Sequence, residues 1–585
     1  YWGIYNADRV AKFPLVGSVH DNPMWLQLAL ASTLLAFFPL AWFLARWHTM
    51  HVAGRLVYGG LIQGTMTILV HVGYTGISQY MTAGTAFMWS MLVPMLVVLL
   101  VLLLAEALEM SEVIWSQRKR HFTPHMAATD RAHWPKVSIH VPLYNEPPEM
   151  VKLTLDALDR LDYPNVEFVI VDNNTRDEAV WRPVETYCAK LGPKFRFFHV
   201  SPLKGFKAGA LNFALRHTAD DAEVIGVIDS DYLVTPDWLK CLVPYFDRAE
   251  VGFVQAPQDH RDWQGDAFKE AINWEYAGFF HIGMVQRNEH DAIIQHGTMT
   301  LIRKKAIDAV GNWAEWCICE DAEMGLRLMI GDWESVYLNR RFGYGLTPDS
   351  FPGYKSQRFR WAYGAVQILK RHWRELLPGK NRRLSPMQRY HFVTGWMPWF
   401  ADAVGLVFAV TSVIWSVGVL LLPRYFEFPL TLFLVPALAV FAAKILQFLW
   451  LYKVRVDCTL RQRLGAGLAG LALTYTIAKA TLYGVFTDKL PFIRTPKNED
   501  QPAMIQAFAH AKEETILFIL LWLAGLAIWN VYGGDDPEAK LWTIVMFAQS
   551  MPYLASLLLA MVNTMPGLRR ISLGGAKAPV IVAGE

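Results

Sequence analysis

Residues 224–231 read VIGVIDSD, an apolar run that ends in two carboxylates one residue apart. A short apolar run bounded by a turn is typical of a strand buried on both faces of a sheet. Similar β-branched and aromatic runs alternate with amphipathic stretches, and this alternation predicts a mostly parallel sheet with helices on both faces. The other runs are 137–141, 166–171, 195–200 and 251–255, and the amphipathic stretches include 150–161 and 206–217.

Polar side chains follow three of these predicted strands directly. Asn145 and Glu146 follow the first run, Asp172 follows the second, and Asp229 and Asp231 follow the fourth. Ligands of open α/β sheets bind outside the carboxyl ends of the strands. We therefore expect these side chains to converge at one edge of the sheet.

Two acidic pairs have the chemistry of a metal site and of a base. Carboxylates one residue apart, as in Asp229 and Asp231, provide oxygen ligands for Mg²⁺ or Mn²⁺ bridging phosphate groups. Further along the chain, Glu320 and Asp321 include a carboxylate that can accept a proton from a hydroxyl group. One acidic triplet alone would be weak evidence, because a solvated turn often contains one, whereas an ordered set is more specific.

Residues 357–361 read QRFRW and close this set. On a helix, Gln357, Arg360 and Trp361 share one face by their spacing. The planar guanidinium groups of Arg358 and Arg360 suit a diphosphate, and Trp361 offers a flat surface for a sugar ring. The alternative interpretation is an arginine-rich amphipathic helix with a tryptophan in the core.

The ordered motifs resemble those of processive glycosyltransferases of family 2, which include cellulose, hyaluronan and β-glucan synthases. The resemblance covers residues 136–497 and implies a fold of the glycosyltransferase A type, which is Rossmann-like, with inverting transfer from a UDP-sugar. In chain order the motifs are PLYNE at 142–146, Asp172, KAGALN at 207–212, DSD at 229–231, ED at 320–321 and QRFRW at 357–361.

The resemblance also implies a role for each residue. Asp229 and Asp231 would bind Mg²⁺ or Mn²⁺, and Asp321, beside Glu320, would be the general base. The donor-binding set would be Tyr144, Glu146, Asp172 (on the uracil), Lys207, Asp229, Gln357, Arg358 and Arg360. The acceptor-binding set would be Trp361, His296, Gly297 and Thr298. For Lys207 the alternative is an ordinary surface lysine.

The chain departs from the family pattern at two places. Cys319 precedes Glu320 and Asp321, where the family usually has a threonine. The segment QHGT at 295–298 stands where the family usually has a cysteine near the acceptor. The first departure concerns the position that assists the base, and the second bears on the choice of linkage.

Residues 492–497 read FIRTPK and resemble the gating loop Phe-x-Val-Thr-x-Lys of cellulose synthases. The match is carried by Phe492, Thr495 and Lys497, while Arg494 replaces the usual valine. The resemblance implies that threonine and lysine reach the donor phosphates when the loop closes. It therefore requires a cytoplasmic loop at 486–511.

The composition indicates a membrane protein with a polar central segment. Hydrophobic residues make up 53% of the chain, charged residues only 18%, and mean hydropathy is +0.20. A spanning helix needs about 20 apolar residues. The candidate stretches are 24–47, 56–77, 86–110, 399–422, 429–452, 464–486, 515–532 and 541–562.

Basic residues predict the orientation of these stretches, because cytoplasmic loops are enriched in lysine and arginine. The cytoplasmic markers are Arg46, Arg55, Arg118, Lys119, Arg120, Lys453, Arg455, Arg461, Arg463, Arg569 and Arg570. The acidic turn with Asp535, Asp536 and Glu538 reads as external. These signs agree only if 464–486, with its glycines and Lys479, lies at the interface. We predict seven spanning helices, an external N-terminus and a cytosolic central domain.

The predicted domain boundaries follow from these assignments. Three transmembrane helices occupy 24–110, and the cytosolic glycosyltransferase domain occupies 111–385. Interfacial helices and two transmembrane helices occupy 386–485, the gating loop 486–511, two C-terminal helices 512–565 and a cytosolic tail 566–585. Residues 1–9, YWGIYNADR, resemble the closing strand of a glycoside hydrolase family 17 barrel. The resemblance implies that residues 1–20 are the tail of an upstream periplasmic domain.

The sequence as a whole is interpreted as a polytopic inner-membrane β-glucan synthase. The expected donor is UDP-glucose, the acceptor a growing glucan, and the product β-1,3-linked, with a cyclic form open. The alternatives are a cellulose, mannan, hyaluronan or chitin-like synthase, a non-processive lipid-linked sugar transferase, and a transporter or channel. A net charge of +3 gives no argument for a nucleic-acid partner, and the five cysteines are expected to be reduced thiols.

Overall fold

The structure is a computed structural model. It describes residues 23–48, 50–78, 83–117, 119–125, 131, 133–379, 383–428, 431–488, 503–533, 536–571 and 573. The chain forms two compact units. The described part of the first lies in the segment up to Gln117 and in Trp415–Ala442 and Ile528–Val545. The second comprises the described parts of Arg118–Ile414, Ala443–Ala527 and Met546–Glu585.

The helices and strands follow in chain order. Before the sheet the chain forms α1 (Pro23–Arg46), α2 (Val52–Ser78) and α3 (Ala83–Trp115). The α/β part contains β1 (Lys136–Leu143), α4 (Pro148–Asp159), β2 (Val166–Asn173), α5 (Glu178–Leu191), β3 (Phe195–Val200), α6 (Phe206–Arg216), β4 (Ala222–Val227), β5 (Leu233–Val234), α7 (Trp238–Leu242) and β6 (Val251–Gln255). It continues with α8 (Ala267–Gly278), a π-helical turn (Phe279–Met284), α9 (Val285–Asn288), β7 (Thr300–Arg303), α10 (Lys304–Val310), α11 (Glu320–Ile330), β8 (Glu334–Tyr337) and β9 (Gly343–Tyr344).

The remaining elements are helical. They are α12 (Phe351–Leu376), α13 (Pro386–Thr394), α14 (Met397–Leu421), α15 (Thr431–Arg455), α16 (Leu460–Leu471), α17 (Thr474–Phe486), α18 (Ala503–His510), α19 (Lys512–Tyr532), α20 (Pro537–Thr564) and α21 (Pro566–Arg569).

Seven of the nine described strands form a mixed sheet in the order β3-β2-β1-β4-β7-β6-β8, and β5 pairs antiparallel with β9 in a separate two-stranded sheet. Strands β3, β2, β1 and β4 are parallel, and β6 is parallel to β8. Strand β7 runs antiparallel to both of its neighbours. The predicted α/β fold with a mostly parallel sheet is confirmed, and it has the mixed sheet of a glycosyltransferase A-type domain. The sequence prediction did not include β7 and β8, which have four residues each, or β5 and β9, which have two each.

Apolar helix faces cover both faces of the sheet. On one face, Leu155 of α4 and Cys188 of α5 belong to one buried cluster with strand residues. On the other, Leu211 of α6 and Met324 of α11 belong to a second cluster. Because parallel strands are buried on both faces, their sequences are continuous apolar runs rather than alternating ones. This is why 224–228 is apolar throughout.

The long apolar helices confirm the prediction of a multi-pass membrane protein in its general form. By length and composition, eight described helical segments are long enough and apolar enough to cross a membrane. In the first unit α2 packs against α1 and α3, and the Trp47 indole donates to the Glu112 carboxylate over 2.5 Å. In the same unit the Trp542 indole donates to the Ser416 hydroxyl over 2.9 Å.

The stretch 460–486 differs from the other seven. It consists of two consecutive helices, and half of its most apolar window is buried inside the protein, against 11–44% for the others. Helix α16 packs against α8, and α17 packs against α12, so both halves contact helices of the α/β domain. Ala469 and Ala480 are part of the core that contains the sheet residues.

Candidate active site

The polar residues predicted at the strand ends are positioned by three neighbouring parallel strands. Asp172 ends β2 opposite Leu143 of β1, while Asp229 and Asp231 follow β4, the other neighbour of β1. Their side chains therefore start from the same edge of the sheet. Tyr144, immediately after β1, is largely exposed at this edge.

The Asp229 and Asp231 carboxylates have different hydrogen-bond partners. Asp229 Oδ1 accepts from Lys207 Nζ over 2.6 Å, and Asp231 Oδ2 accepts from the Leu346 backbone N–H over 2.8 Å. Burial, together with the neighbouring Asp229 carboxylate, raises the pKa of Asp231 to about 6. Burial and the same two aspartates raise the pKa of Glu146 to about 7.

Burial is the larger cause of these raised pKa values, and the mutual repulsion of the Glu146, Asp229 and Asp231 carboxylates adds to it. A divalent cation relieves such repulsion, and hard carboxylate oxygens are its preferred ligands. Asp229 and Asp231 therefore fit Mg²⁺ or Mn²⁺ by the chemistry of their donor atoms. Glu146 lies beside Asp229 and Asp231. The sequence analysis assigned Glu146 to the donor site but did not predict that it lies next to these two aspartates.

Lys207 connects the strand edge to the acidic pair Glu320 and Asp321. Its Nζ donates to Asp229 and, over 3.1 Å, to the carbonyl oxygen of Gly297. Burial alone would lower the pKa of Lys207, but Asp229, Glu320 and Asp321 raise it above its usual value. The Lys207 side chain is one-third exposed, but its contact with three carboxylates does not agree with the alternative of an ordinary surface lysine.

Glycine is required between this lysine and the candidate base. A Cβ atom added at Gly297 would lie 2.8 Å from Lys207 Nζ and 3.0 Å from Asp321 Oδ2. Any larger side chain would separate the two charged groups. The structure thus brings Lys207, Gly297 and Asp321 together, as the sequence predicted only through the family resemblance.

Glu320 and Asp321 form the first turn of α11. Burial raises the pKa of Asp321, although Lys207 opposes the shift. Burial and the neighbouring Asp321 raise the pKa of Glu320 to about 7, again against Lys207. Asp321 Oδ1 accepts from the Ala322 backbone N–H over 2.8 Å. Glu320 is buried, Asp321 is partly exposed, and both lie near one ammonium group, which suits a carboxylate that takes up a proton.

Cys319 joins this acidic turn to the QRFRW helix. Its thiol lies 3.7 Å from the carbonyl oxygen of Arg360 and 3.8 Å from that of Trp361. A Cβ at Gly364 would come within 2.4 Å of the same sulfur. Cys319 therefore packs between α11 and α12 and fills the position of the usual threonine by close contact with the helix.

The two arginines of QRFRW have different environments on α12. Arg358 is 8% exposed, and its guanidinium forms an ion pair with Glu275 of α8. The same guanidinium lies 4.6 Å from the Trp361 ring centroid and 4.5 Å from that of Tyr276. Arg360 is exposed. Of the two arginines predicted to bind the donor, Arg360 is accessible, and Arg358 is engaged in holding α12 to α8.

Two residues of α8 were missed by the sequence analysis. The Tyr354 hydroxyl donates to Glu275 Oε2 over 3.0 Å, and the Tyr276 hydroxyl donates to Gln357 Oε1. The Tyr276 ring also meets Trp361 edge-on at 5.7 Å. No spacing in residues 267–278 distinguishes Glu275 and Tyr276 from the other polar and aromatic positions of an amphipathic helix.

The segment 295–298 contacts the loop after β4 and the π-helical turn. Thr298 Oγ1 accepts from the backbone N–H of Asp229 over 3.1 Å, which fixes the loop after β4. His296 lies edge-on to Phe279 and Phe280 of the π-helical turn. Burial and the nearby Arg287 lower its pKa to about 3, so the imidazole is neutral. An acceptor role for this segment stays a prediction.

The predicted gating-loop residues Phe492, Arg494, Thr495 and Lys497 lie outside the described residues. Their flanking segments both contact α12. On one side Lys370 pairs with Asp488 over 2.6 Å, and on the other Lys355 pairs with Glu514 over 2.5 Å. The helix that carries QRFRW is therefore in contact with the chain both before and after the segment 489–502.

Comparison with known proteins identifies the α/β domain. Residues 138–311, which include most of the α/β domain, match the family model described as Glycosyl transferase family 2. A cellulose synthase catalytic subunit [UDP-forming] of Xanthomonas axonopodis pv. citri is 26% identical over 268 residues, covering 44% of this chain and 35% of that protein. A probable glucomannan 4-beta-mannosyltransferase 15 of Arabidopsis thaliana is 23% identical over 270 residues, covering 45% of this chain and 49% of that protein.

The match therefore spans about a third to a half of these relatives' lengths. Among solved structures, the mannosyltransferase PcManGT from Pyrobaculum calidifontis, in complex with GDP-Man and Mn²⁺, is similar with a TM-score of 0.48 and 18% identity. That likeness covers 68% of this chain and 98% of the mannosyltransferase.

The contrast between Arg358 and Arg360 makes a first prediction. Arg358→Gln leaves the Glu275 carboxylate without its ion-pair partner, and breaking a buried pair costs about 3–5 kcal/mol. We expect a clearly lower thermal transition, measured by tryptophan fluorescence of the purified protein. Arg360→Gln is the matched control, since an exposed substitution changes stability by less than about 0.5 kcal/mol. Equal transitions for the two variants would contradict the assigned roles.

The acidic pair makes a second prediction, about pH. A carboxylate acts as a base only when it is ionised. Because the pKa values of Glu320 and Asp321 are raised, activity should be present at higher pH and should be lost as the pH falls through these pKa values. We expect the acid limb of the kcat profile well above the usual carboxyl range near pH 4.

Lys207→Met removes the charge that lowers both pKa values, and the limb should move to higher pH. Lys240→Met, which removes a surface lysine paired with Asp162, should leave it in place. An unmoved limb in Lys207→Met would show that the titrating group lies elsewhere.

Proposed function

We propose, from the family 2 glycosyltransferase domain and its buried acidic centre, that the protein is a processive, inverting β-glucan synthase. It polymerises glucose from UDP-glucose into a β-1,3-linked glucan, linear or cyclic, and passes the chain across the inner membrane. The observation that carries the proposal is the meeting of Lys207, Asp229 and Asp321 around Gly297, next to the helix that bears Trp361. The arrangement combines the Lys207 ammonium for the diphosphate, the Asp321 carboxylate for the acceptor proton and the Trp361 ring for the acceptor sugar.

The reaction needs one proton removed and one diphosphate released. Asp321 accepts the proton of the acceptor hydroxyl as that oxygen attacks C1 of the donor sugar. The bond from C1 to the diphosphate oxygen breaks with inversion, and UDP leaves. Lys207 stabilises the negative charge that develops on the departing diphosphate, a type of electrostatic stabilisation that contributes much of the rate in such sites.

Asp229 and Asp231 are the residues that would hold Mg²⁺ or Mn²⁺. When bound, the cation neutralises charge on the donor phosphates. Arg360, exposed on the same helix as Trp361, adds a further positive group for the diphosphate. Trp361, held by Arg358 and Tyr276, offers the ring on which the acceptor sugar stacks.

A second candidate is a synthase of the same class with another product. The relatives named as a cellulose synthase subunit and a glucomannan mannosyltransferase favour a β-1,4-linked glucan or mannan. The β-1,3 assignment is supported by the resemblance of residues 1–9, which lie outside the described residues, to a hydrolase barrel strand. A transporter or channel is disfavoured, because neither would require the acidic centre of the α/β domain.

Products distinguish these candidates. The purified protein is incubated with Mg²⁺ and UDP-glucose, UDP-N-acetylglucosamine or GDP-mannose, and any polymer is digested with linkage-specific glucanases. We expect polymer from UDP-glucose that an endo-β-1,3-glucanase degrades and a cellulase does not. Degradation by cellulase alone would assign the product to the β-1,4 class, and absence of polymer from every donor would overturn the proposed function.

The base assignment is tested in the same assay. Asp321→Asn keeps the shape of the side chain but cannot accept the proton, so synthesis should fall about 10²–10⁴-fold. Binding of UDP, measured by titration, should remain. Asp308→Asn, on α10 in the same domain, serves as the matched control with full activity. Undiminished synthesis by Asp321→Asn would remove this residue from the mechanism.

The proposed topology has seven spanning helices, with the α/β domain in the cytosol and the N-terminus in the periplasm. The packing of both halves of 460–486 on α8 and α12 supports an interfacial position for this stretch. If it does not cross the bilayer, Cys458 and Asp488, at its two ends, face the cytosol together. Asp536, between α19 and α20, would then face the outside.

Thiol labelling of intact cells tests this topology. Cys458 is replaced by serine, and the four other cysteines are buried, so single new cysteines report alone. An impermeant maleimide should label Asp536→Cys in intact cells and Asp488→Cys only after permeabilisation. Labelling of Asp488→Cys from outside would make 460–486 a spanning segment and refute the count of seven.

A further inference from the structure

We propose that the His199 imidazole, positioned by Asp172, is the group that reads the Watson–Crick edge of the donor base and selects uracil over cytosine. The proposal rests on the proposed function, because it concerns the nucleotide of that donor. The sequence analysis assigned contact with uracil to Asp172 itself. The geometry transfers that contact to the neighbouring strand.

Asp172 is too enclosed to contact a base directly. Its residue is 2% exposed, and both carboxylate oxygens are engaged. Oδ1 accepts from the Thr175 hydroxyl over 2.7 Å, and Oδ2 lies 2.7 Å from His199 Nδ1. The His199 side chain, by contrast, is 24% exposed.

The hydrogen bonds of this network place a hydrogen on Nδ1 of His199. The backbone N–H of Asn145 donates to Thr175 Oγ1 over 2.8 Å, so the Thr175 hydroxyl hydrogen is free to point at Asp172. An ionised carboxylate only accepts hydrogen bonds. His199 Nδ1 therefore carries a hydrogen, and in the singly protonated ring Nε2 is the acceptor.

The ring is also fixed in orientation. The Trp181 indole stacks on it at 4.2 Å between centroids, with 8° between the planes. Sheet register places His199 opposite Asp172, and Asp172 opposite Leu143, the residue before Tyr144. Tyr144 and His199 thus start from the two strands on either side of Asp172, at the carboxyl edge of the sheet.

An acceptor at this position distinguishes the pyrimidines. Uracil has a hydrogen on N3 and can donate to His199 Nε2, whereas N3 of cytosine carries a lone pair and would repel it. A site that pairs with a polar ligand group rejects an analogue lacking it, because its own buried group is left unpaired. His199 is thus a specificity-determining residue, and Asp172, which acts through it, is a positioning residue.

Nucleotide titration of the purified full-length protein with Mg²⁺ tests this inference without turnover. The wild type should bind UDP more tightly than CDP. His199→Phe keeps a ring against Trp181 but lacks the acceptor, so UDP affinity should fall about tenfold, the value of one hydrogen bond. The ratio of the UDP and CDP affinities should approach one.

Asp172→Asn provides a result that a purely structural role would not produce. The Thr175 hydroxyl keeps the amide oxygen on its own side, so the amide nitrogen donates to His199 Nδ1. The hydrogen of the imidazole then moves to Nε2, which becomes a donor and matches cytosine N3. We expect the preference to shift toward CDP in this variant, relative to the wild type.

His133→Phe, an exposed histidine of the same domain, is the matched control and should keep the wild-type ratio. Equal thermal transitions for all variants show that folding is intact. If His199→Phe keeps the wild-type preference for UDP while polymer synthesis persists, the inference is overturned and the proposed function stands. A wild type that binds no uridine nucleotide would overturn both.

Discussion

The site depends on one partly buried ammonium group, that of Lys207. Lys207 Nζ lies between Asp229 on one side and Glu320 with Asp321 on the other, and each carboxylate raises its pKa. Without this positive charge, three carboxylates in a poorly hydrated space would repel one another or bind protons. The loop after β4, the segment at Gly297 and the start of α11 are brought together by this one group.

The two arginines of the motif on α12 differ in burial. Arg358 is buried, forms an ion pair with Glu275 and lies over two aromatic rings, so it stabilises the contact of α12 with α8. Arg360, two residues later, faces outward. A guanidinium stacked between rings and paired with a carboxylate is strongly oriented. The motif thus combines a structural arginine with one that is accessible to a ligand.

The stretch 460–486 shows that a long apolar segment can pack extensively against protein helices. Its alanines and glycines present a smooth surface that packs closely on protein helices. A Cβ at Gly484 would lie 2.8 Å from Val366 of α12, and one at Gly465 would approach Ala271 of α8 to 3.6 Å. Hydropathy records the transfer of side chains out of water, and it does not distinguish a lipid environment from a protein core.

Local sequence determined the α/β alternation, the strand ends that carry Asp172, Asp229 and Asp231, and the helix that carries Trp361. These features follow from periodicity and short spacing, which act over a few residues. Tertiary structure alone decided which residues pair across long separations. Glu275 with Arg358 and Asp172 with His199 are examples, as is the short antiparallel strand β7, which exists only because β4 and β6 flank it. The reason is physical. Burial and long-range hydrogen-bond partners are properties of the packed chain, so they cannot be predicted from a residue's neighbours in sequence.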